Sequence, residues 1–538
     1  MQSQEYRQLS SSLKDNLSRL MELRSTWESH WQEVSDLVLP RKAEITKERQ
    51  RGDKRNVQIF DATAVHALEL LSASLHGMLT SSANRWFSLR FKETALNDND
   101  EAKEWLEDAT ERMYIAFARS NFQQEIFESY HDLIAFGTAC LLIEEDKEDI
   151  LRFSARHIKE LYIQENDKGF VDTVYRKFKM TSQAAATKFG AENLSKEINN
   201  ILRKKPFEEY EFVHVVRPRM NFDEKKQDKK NMPFESIYFE YKTGHIISIG
   251  GFKELSYVVP RYLKASTEIY GRSPAMNALP DIKVLNKMVE NALKAAAKQI
   301  DPPLLVPDDS MLNPIRMSPG SLNYYRSGSR DRIEPLQIGQ ATQVTLNSEN
   351  QRRQAIGRMF HVDQLLVTEN RNMTATEVMQ RNEEKMRILG PVLGRLQSEL
   401  LQPLIIRVFN IMVRNKMFTQ APEILANQEI DIEYVSPMAV AQRSQELNSL
   451  MRGIELFGSM SQMLPVMDFI DENGLVKQLI KTLSLPAKII KSDQQVQQIR
   501  EQRQEQQMQQ QQMQQQLMET QMAKNAAPLA KVVSEQPE

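Results

Sequence analysis

The chain has 538 residues, with 41% hydrophobic and 26% charged positions, a net charge of −2 and a single cysteine, Cys140. That length allows three or four units at about 150 residues each, and the near-neutral balance excludes a strongly basic protein that grips nucleic acid over its whole surface. Gly is only 18 of 538, which disfavours all-β folds and glycine-rich phosphate loops. One cysteine cannot form an intrachain disulfide, and this fits a reducing compartment. The first residues lack a basic segment followed by an apolar one, so no signal peptide is expected. No run of 18 or more apolar residues is present, so no membrane span is expected.

In chain order, residues 5–37 predict a helix in which Leu13, Leu17, Leu20, Leu23, Trp27 and Trp31 recur near helical spacing. Both tryptophans are expected in the core. Residues 60–81 predict a second helix with Asp61 as its N-cap. His66 and His76 lie in it without cysteine or spaced histidine partners and read as structural. Residues 99–120 and 122–139 predict two more helices. The period then changes. "LLIEED", "LRFSARHIKELYI", "VDTVYRKFKM", "EFVHVVRP", "SIYFEYK" and "HIISIGG" predict a mostly antiparallel sheet across residues 140–257. A short helix starting at Thr181 and closed by Gly190 interrupts it.

From Pro274 the pattern is helical to Ile300, where Pro302 and Pro303 stop it. Residues 301–340 are rich in Pro, Gly, Ser and Asp, and a helix resumes over 342–366. Helix, excursion and helix together predict a hairpin with a small module at its tip. Next comes Glu369-Asn370-Arg371-Asn372, a short polar knuckle. Thr374 and Glu377 then have capping-box spacing and open a helix from Ala375 to about Lys416, bent at Gly390-Pro391 and at Pro403. "EIDIEYVSP" predicts one strand, and residues 437–485 predict two or three helices broken near Pro465 and Gly474. From Gln494 to Gln516, 15 of 23 residues are Gln, a composition open to disorder or to a helix bundled with other copies.

Catalytic signatures are missing: the sequence contains no Gly-Lys pair, no H-E-x-x-H, no C-x-x-C and no G-x-S-x-G. No metal or cofactor is expected. Helix 274–300 carries Lys283, Lys287, Lys294 and Lys298 within about 60° on a helical wheel. Leu285, Val289, Ala292, Ala296 and Ile300 lie opposite them. The stripe reads either as a solvated face over an apolar bed or as a track for a polyanion. Arg352, Arg353 and Arg358 on the following helix carry the same two readings.

Five segments resemble the portal, or head-to-tail connector, proteins of podovirus-type tailed phages, the T7-like connectors especially. They are "GMLTSSANRWFSLRF" at 77–91, "FGTACLLIEED" at 136–146, "IYGRSPAMNALPDIKVLNKM" at 269–288, "QIDPPLLVPDD" at 299–309 and "MTATEVMQRNEEKMRILGPVLGRLQSELLQPLI" at 373–405. The resemblance implies a predominantly helical α+β fold of portal type, assembled as a ring, usually of twelve subunits. It implies a wing over 1–265, a first stem helix over 266–300, a clip over 301–340 and a second stem helix over 341–366. Residues 367–435 would hold the tunnel loop, the long kinked helix and a strand returning to the wing. A crown would span 436–486 and a Gln-rich barrel helix and tail 487–538.

The implied function is a non-enzymatic channel at one capsid vertex of the virion, through which double-stranded DNA is packaged and ejected, with assembly in the host cytoplasm. Glu369, Asn370, Arg371 and Asn372 would line its narrowest point, and the stem lysines and arginines would be further channel candidates. Asp308, Asp309, Arg316, Tyr324, Tyr325, Arg326 and Arg330 would dock the large terminase subunit and then the tail adaptor. Capsid, scaffolding and internal core proteins are the other implied partners. The competing readings are a DNA-processing enzyme and a monomeric scaffolding or adaptor protein.

Overall fold

A computed structural model describes residues 4–50, 52–55, 58–92, 100–223, 226, 228–301, 303–305, 334–335, 343–365, 387–422, 430–434, 447, 449–456, 471, 474–476, 478–479 and 493–533. The chain divides into two compact units. The first is Met1–Trp86, Arg112–Met417 and Tyr434–Met438, and the second is Phe87–Glu111, Phe418–Glu433 and Ala439–Glu538.

In the first unit, α1 (Gln4–Leu37) lays Leu13, Leu17 and Leu20 on Tyr175, Val213, Val215, Ile237 and Phe239. Leu23, expected in the same stripe, is exposed. The stripe's next core-facing position, four residues after Leu20, is Arg24, and it is buried. Its guanidinium donates to the carbonyls of Ile158, Lys159 and Leu161 and lies 3.8 Å over the Tyr162 ring. A buried cation is tolerable there because its hydrogens are used. Trp31 is fully buried and Trp27 half-buried, and both rings pack against Tyr270.

Helix α2 (Thr63–Leu79) begins three residues later than expected. Asp61 stays outside it and accepts the Thr63 amide at 2.9 Å, so it restrains the first turn from the preceding loop. Helix α3 (Asp100–Arg119) is followed by α4 (Phe122–Phe136), which ends where Gly137 turns left-handed at φ 74, short of the expected 139. Helix α3 is shared between the units at residues 111 and 112.

The strands of 140–257 form two sheets where one was expected. Strands β2 (Leu141–Asp146), β3 (Ile150–Ala155) and β9 (Tyr257–Val258) pair in the order β3-β2-β9. Strands β4 (Leu161–Glu165), β5 (Val171–Thr181), β6 (Glu209–Pro218), β7 (Phe234–Glu240) and β8 (Ile246–Phe252) form a five-stranded meander in sequence order. All these pairs are antiparallel, as alternation predicted. A 3-10 turn at Ile158–Glu160, held by Arg24, separates the sheets. Helices α5 (Ser182–Phe189, N-capped by Thr181) and α6 (Lys196–Lys204) pack between β5 and β6 in sequence; α6 was not expected.

Helix α7 spans Pro274–Ile300 as predicted. Beyond it β10 (Leu304–Leu305) pairs antiparallel with β11 (Glu334–Pro335), so the ends of the excursion meet. The helix expected over 342–366 is broken. Helix α8 (Gln343–Met359) stops at His361, whose φ of 59 no helix continues, and α9 (Val362–Leu365) follows. The knuckle 369–372 and the capping box lie outside the described residues. Residues 387–396, here α10, stay α-helical through Gly390 and Pro391. A π turn at Gln397–Leu401 then leads into α11 (Gln402–Arg414), which carries Pro403 in its first turn.

In the second unit β1 (Phe87–Phe91) pairs with β12 (Ile430–Tyr434), and Arg90 bridges Asp431 at 3.0 Å. Most of 436–486 lies outside the described residues, where 449–456 is helical. The Gln-rich stretch belongs to one helix, Asp493–Val533, exposed along 500–518.

Glycines separate structural demand from surplus. A Cβ at Gly271 would collide with the Gly137 carbonyl, whereas one at Gly394, on the exposed side of α10, meets open space. Gly271→Ala should therefore cost about 3 kcal/mol by overpacking. Gly394→Ala should gain about 0.5–1 kcal/mol by stiffening the unfolded chain. Chemical denaturation of the two variants checks both signs.

Candidate nucleic-acid interface

Helix α7 starts where Ser273 both accepts the Met276 amide at 2.9 Å and donates to the Ala135 carbonyl at 2.8 Å, with Pro274 in the first turn. Its first half is core: Ala275, Met276, Ala278, Leu279, Ile282 and Leu285 are buried. Its second half leaves the core. Of the expected apolar face, Leu285 is covered, Val289 and Ala292 are half-buried, and Ala296 and Ile300 are exposed. Helix α8 packs along α7 and buries Ile356.

The seven cations singled out on this hairpin are described, and six of them meet a carboxylate. Lys283 pairs with Glu33 at 3.1 Å. Glu290 takes both Lys287, at 3.0 Å, and Lys294. Arg352 pairs with Asp281, Arg353 with Asp61 at 3.0 Å and Glu349 at 3.5 Å, and Arg358 with Asp363 at 3.9 Å. Lys298 is exposed and has no ion pair among the described residues. Each exposed pair adds little stability, at most about 1 kcal/mol. Their larger effect is on charge: three of the four lysines of the stripe meet two carboxylates, Glu33 and Glu290, and the three arginines of α8 meet four, Asp61, Asp281, Glu349 and Asp363.

Among the described residues, three side-chain links moor the hairpin to the rest of its unit. They are Lys283–Glu33, Arg353–Asp61 and the Asn286 side chain. Asn286 Oδ1 accepts the amides of Phe60 at 2.7 Å and Asp61 at 3.3 Å, while its Nδ2 donates to the Gln58 carbonyl at 2.7 Å. Burial pushes the Asp61 carboxyl pKa up, but hydrogen bonds from Thr63 and the Arg353 guanidinium outweigh it and hold it below the ordinary 3.8. Hydrogen bonds from Lys294 and then Lys287 hold Glu290 low as well.

Glu290 was readable from the sequence, since it lies three residues after Lys287 and four before Lys294. Glu33, Asp61 and Asp281 were not, because their partners are brought to them only by the fold. The other candidates, Glu369 to Asn372 and Asp308, Asp309, Arg316, Tyr324, Tyr325, Arg326 and Arg330, lie outside the described residues. Among the described residues no group of His, Cys, Asp or Glu could hold a metal, and no helix is long and apolar enough to cross a membrane.

A carboxylate held below its ordinary pKa stabilises the fold above that ordinary value and stops doing so as pH falls through the folded one. Asp61 should therefore contribute above about pH 4 and fade below it. The melting temperature of Asp61→Asn, followed from about pH 2 to 7, should be lower than wild type near neutrality and converge with it in acid.

The family model for bacteriophage head to tail connecting proteins matches residues 10–490. The portal protein of Salmonella phage epsilon15 is 32% identical over 502 residues, covering 91% of this chain and 90% of that protein. The probable portal protein of Bordetella phage BPP-1 is 31% identical over 504 residues, covering 90% of each.

Proposed function

The chain belongs to the family of bacteriophage head to tail connecting proteins, a structural and non-enzymatic family, and from that premise we propose how it works as a phage portal. Copies of it, twelve in the usual arrangement, close into a ring around double-stranded DNA at one vertex of the capsid. The α7–α8 hairpin is the stem. Residues 301–340 are the clip that docks the large terminase subunit during packaging and the tail adaptor afterwards. Residues 369–372 form the tunnel loop ahead of the kinked helix. Residues 1–265 with the strand at 430–434 make the wing, 436–486 the crown, and 487–538 a barrel toward the capsid interior and its core proteins. Scaffolding and major capsid proteins surround the ring during assembly in the host cytoplasm.

The observation that carries this reading is the charge compensation of the hairpin. A cation that neutralises a phosphate releases a counterion, and many such contacts would hold the duplex still. On α7 and α8 six cations already have carboxylate partners, which leaves Lys298 as the free positive charge among the described candidates. A wall of this kind lets DNA slide. The meeting of β10 and β11 supports a clip whose two ends leave the stem together.

Glu290→Gln releases two lysines per copy while keeping the shape of the side chain. The assembled variant should bind duplex DNA more tightly and package it several-fold more slowly, with assembly unchanged. Packaging at the wild-type rate, measured with purified motor and empty capsids, would remove the hairpin from the channel wall.

A further inference from the structure

Arg261 is the most completely enclosed charge in the first unit, with a side chain fully removed from solvent. A guanidinium has five N–H donors, and all five are used. Nε donates to Glu399 Oε2 at 3.0 Å. Nη2 donates to Glu399 Oε1 at 2.8 Å and to the Gly169 carbonyl at 2.9 Å. Nη1 donates to the Glu165 carboxylate and to the Ile269 carbonyl at 3.1 Å. The Arg261 backbone amide adds a third bond to Glu399, at 3.0 Å, and Arg395 adds a fourth, also at 3.0 Å.

What brings Glu399 there is a defect in its helix. In an α-helix residue 403 would donate its amide to the carbonyl of residue 399. Pro403 has no amide hydrogen, and its ring would press on that carbonyl. The helix responds by widening into the π turn Gln397–Leu401, with Glu399 at its centre. On the other side, Arg261 sits in the segment running from β9 to the N-cap of α7. That segment is closed by the Leu263–Arg272 bridge and anchored by buried Tyr270. Gly271 in the same segment touches the Gly137 backbone so closely that no side chain fits. The root of α7 is thus rigid, and Arg261 is its grip on the helix running from 387 to 414.

We propose that Arg261 and Glu399 are positioning residues for the DNA channel, a clamp that makes the root of the α7–α8 hairpin and the π turn move as one body. The proposal rests on the hairpin being the channel wall. Neither residue needs to approach DNA; both act by fixing the mutual register of the two elements between which residues 301–386 are strung.

The test is hydrogen exchange by mass spectrometry on the assembled full chain, together with packaging. Glu399→Gln keeps the shape but sets an amide N–H₂ against Arg261. It should raise exchange at least tenfold in both 259–273 and 396–405, while the β5 and β6 amides of 174–180 and 212–216 stay within twofold. Assembled mass should be unchanged and packaging should slow several-fold. Pro403→Ala, which keeps both charges and lets the turn close as α-helix, should give the same paired rise.

A rise confined to 396–405 would overturn the clamp, since Glu399 would then be a local cap only. No rise in either segment, or a rise everywhere in both variants, would overturn it equally. Paired exchange with normal packaging, where Glu290→Gln does slow packaging, would refute the role in the channel alone. Normal packaging for Glu399→Gln and Glu290→Gln together would refute the hairpin reading beneath it.

Discussion

A cation taken wholly out of water must keep every partner, because losing one leaves an uncompensated charge that costs about 3–5 kcal/mol. Arg261 imposes that constraint on this protein. Its partners come from the end of β4, the following turn, the approach to α7 and the π turn, so the guanidinium fixes four pieces of chain at once. The start of α7 is therefore set by the body of the first unit and not by the helix itself. From that root the helix leaves the core at about Val289, and the hairpin stands on three polar moorings.

The same logic runs through the rest of the unit. Arg24 and Arg407 are also buried arginines that gather backbone carbonyls, the first at the 3-10 turn between the sheets and the second from Ile143 and Glu254. Burial depresses the Arg407 pKa to about 10, with Glu254 offsetting part of the cost. The 3-10 turn and Glu254 lie outside the strands, and there a side chain satisfies carbonyls that no ladder reaches; Ile143, in β2, lies beyond the two residues that β9 pairs.

Local signals were legible where local rules decide. Alternation located β5 to β8, Thr181 and Gly190 bounded α5, and Pro274 with the pattern that follows bounded α7. What could not be read was whatever distant chain decides. The β1–β12 sheet joins segments about 340 residues apart, and its bridge Arg90–Asp431 has no local signature. One sheet became two at the 3-10 turn 158–160, whose carbonyls Arg24 takes, and a leucine-patterned stripe does not say that the arginine at its next position is buried. Pro403 announced a bend, but that the turn it widens would hand Glu399 to Arg261, 138 residues earlier in the chain, has no local signature. On the hairpin the lysines were visible and their neutrality was not. Two carboxylate partners, Glu290 and Glu349, lie within a helical turn of their cations, whereas Glu33 and Asp61 arrive from α1 and from the loop before α2.

On the proposed portal reading, the hairpin is a channel wall that releases DNA: it is rigidly rooted, and six of its seven singled-out cations already meet carboxylates. The most direct test is the salt dependence of duplex DNA binding by the assembled oligomer between about 50 and 200 mM salt, because each neutralised phosphate adds about 0.9 to the logarithmic slope. The account predicts a shallow slope equivalent to about three phosphates or fewer. A steep slope, equivalent to about ten, would mean that the cations grip the backbone and would contradict it.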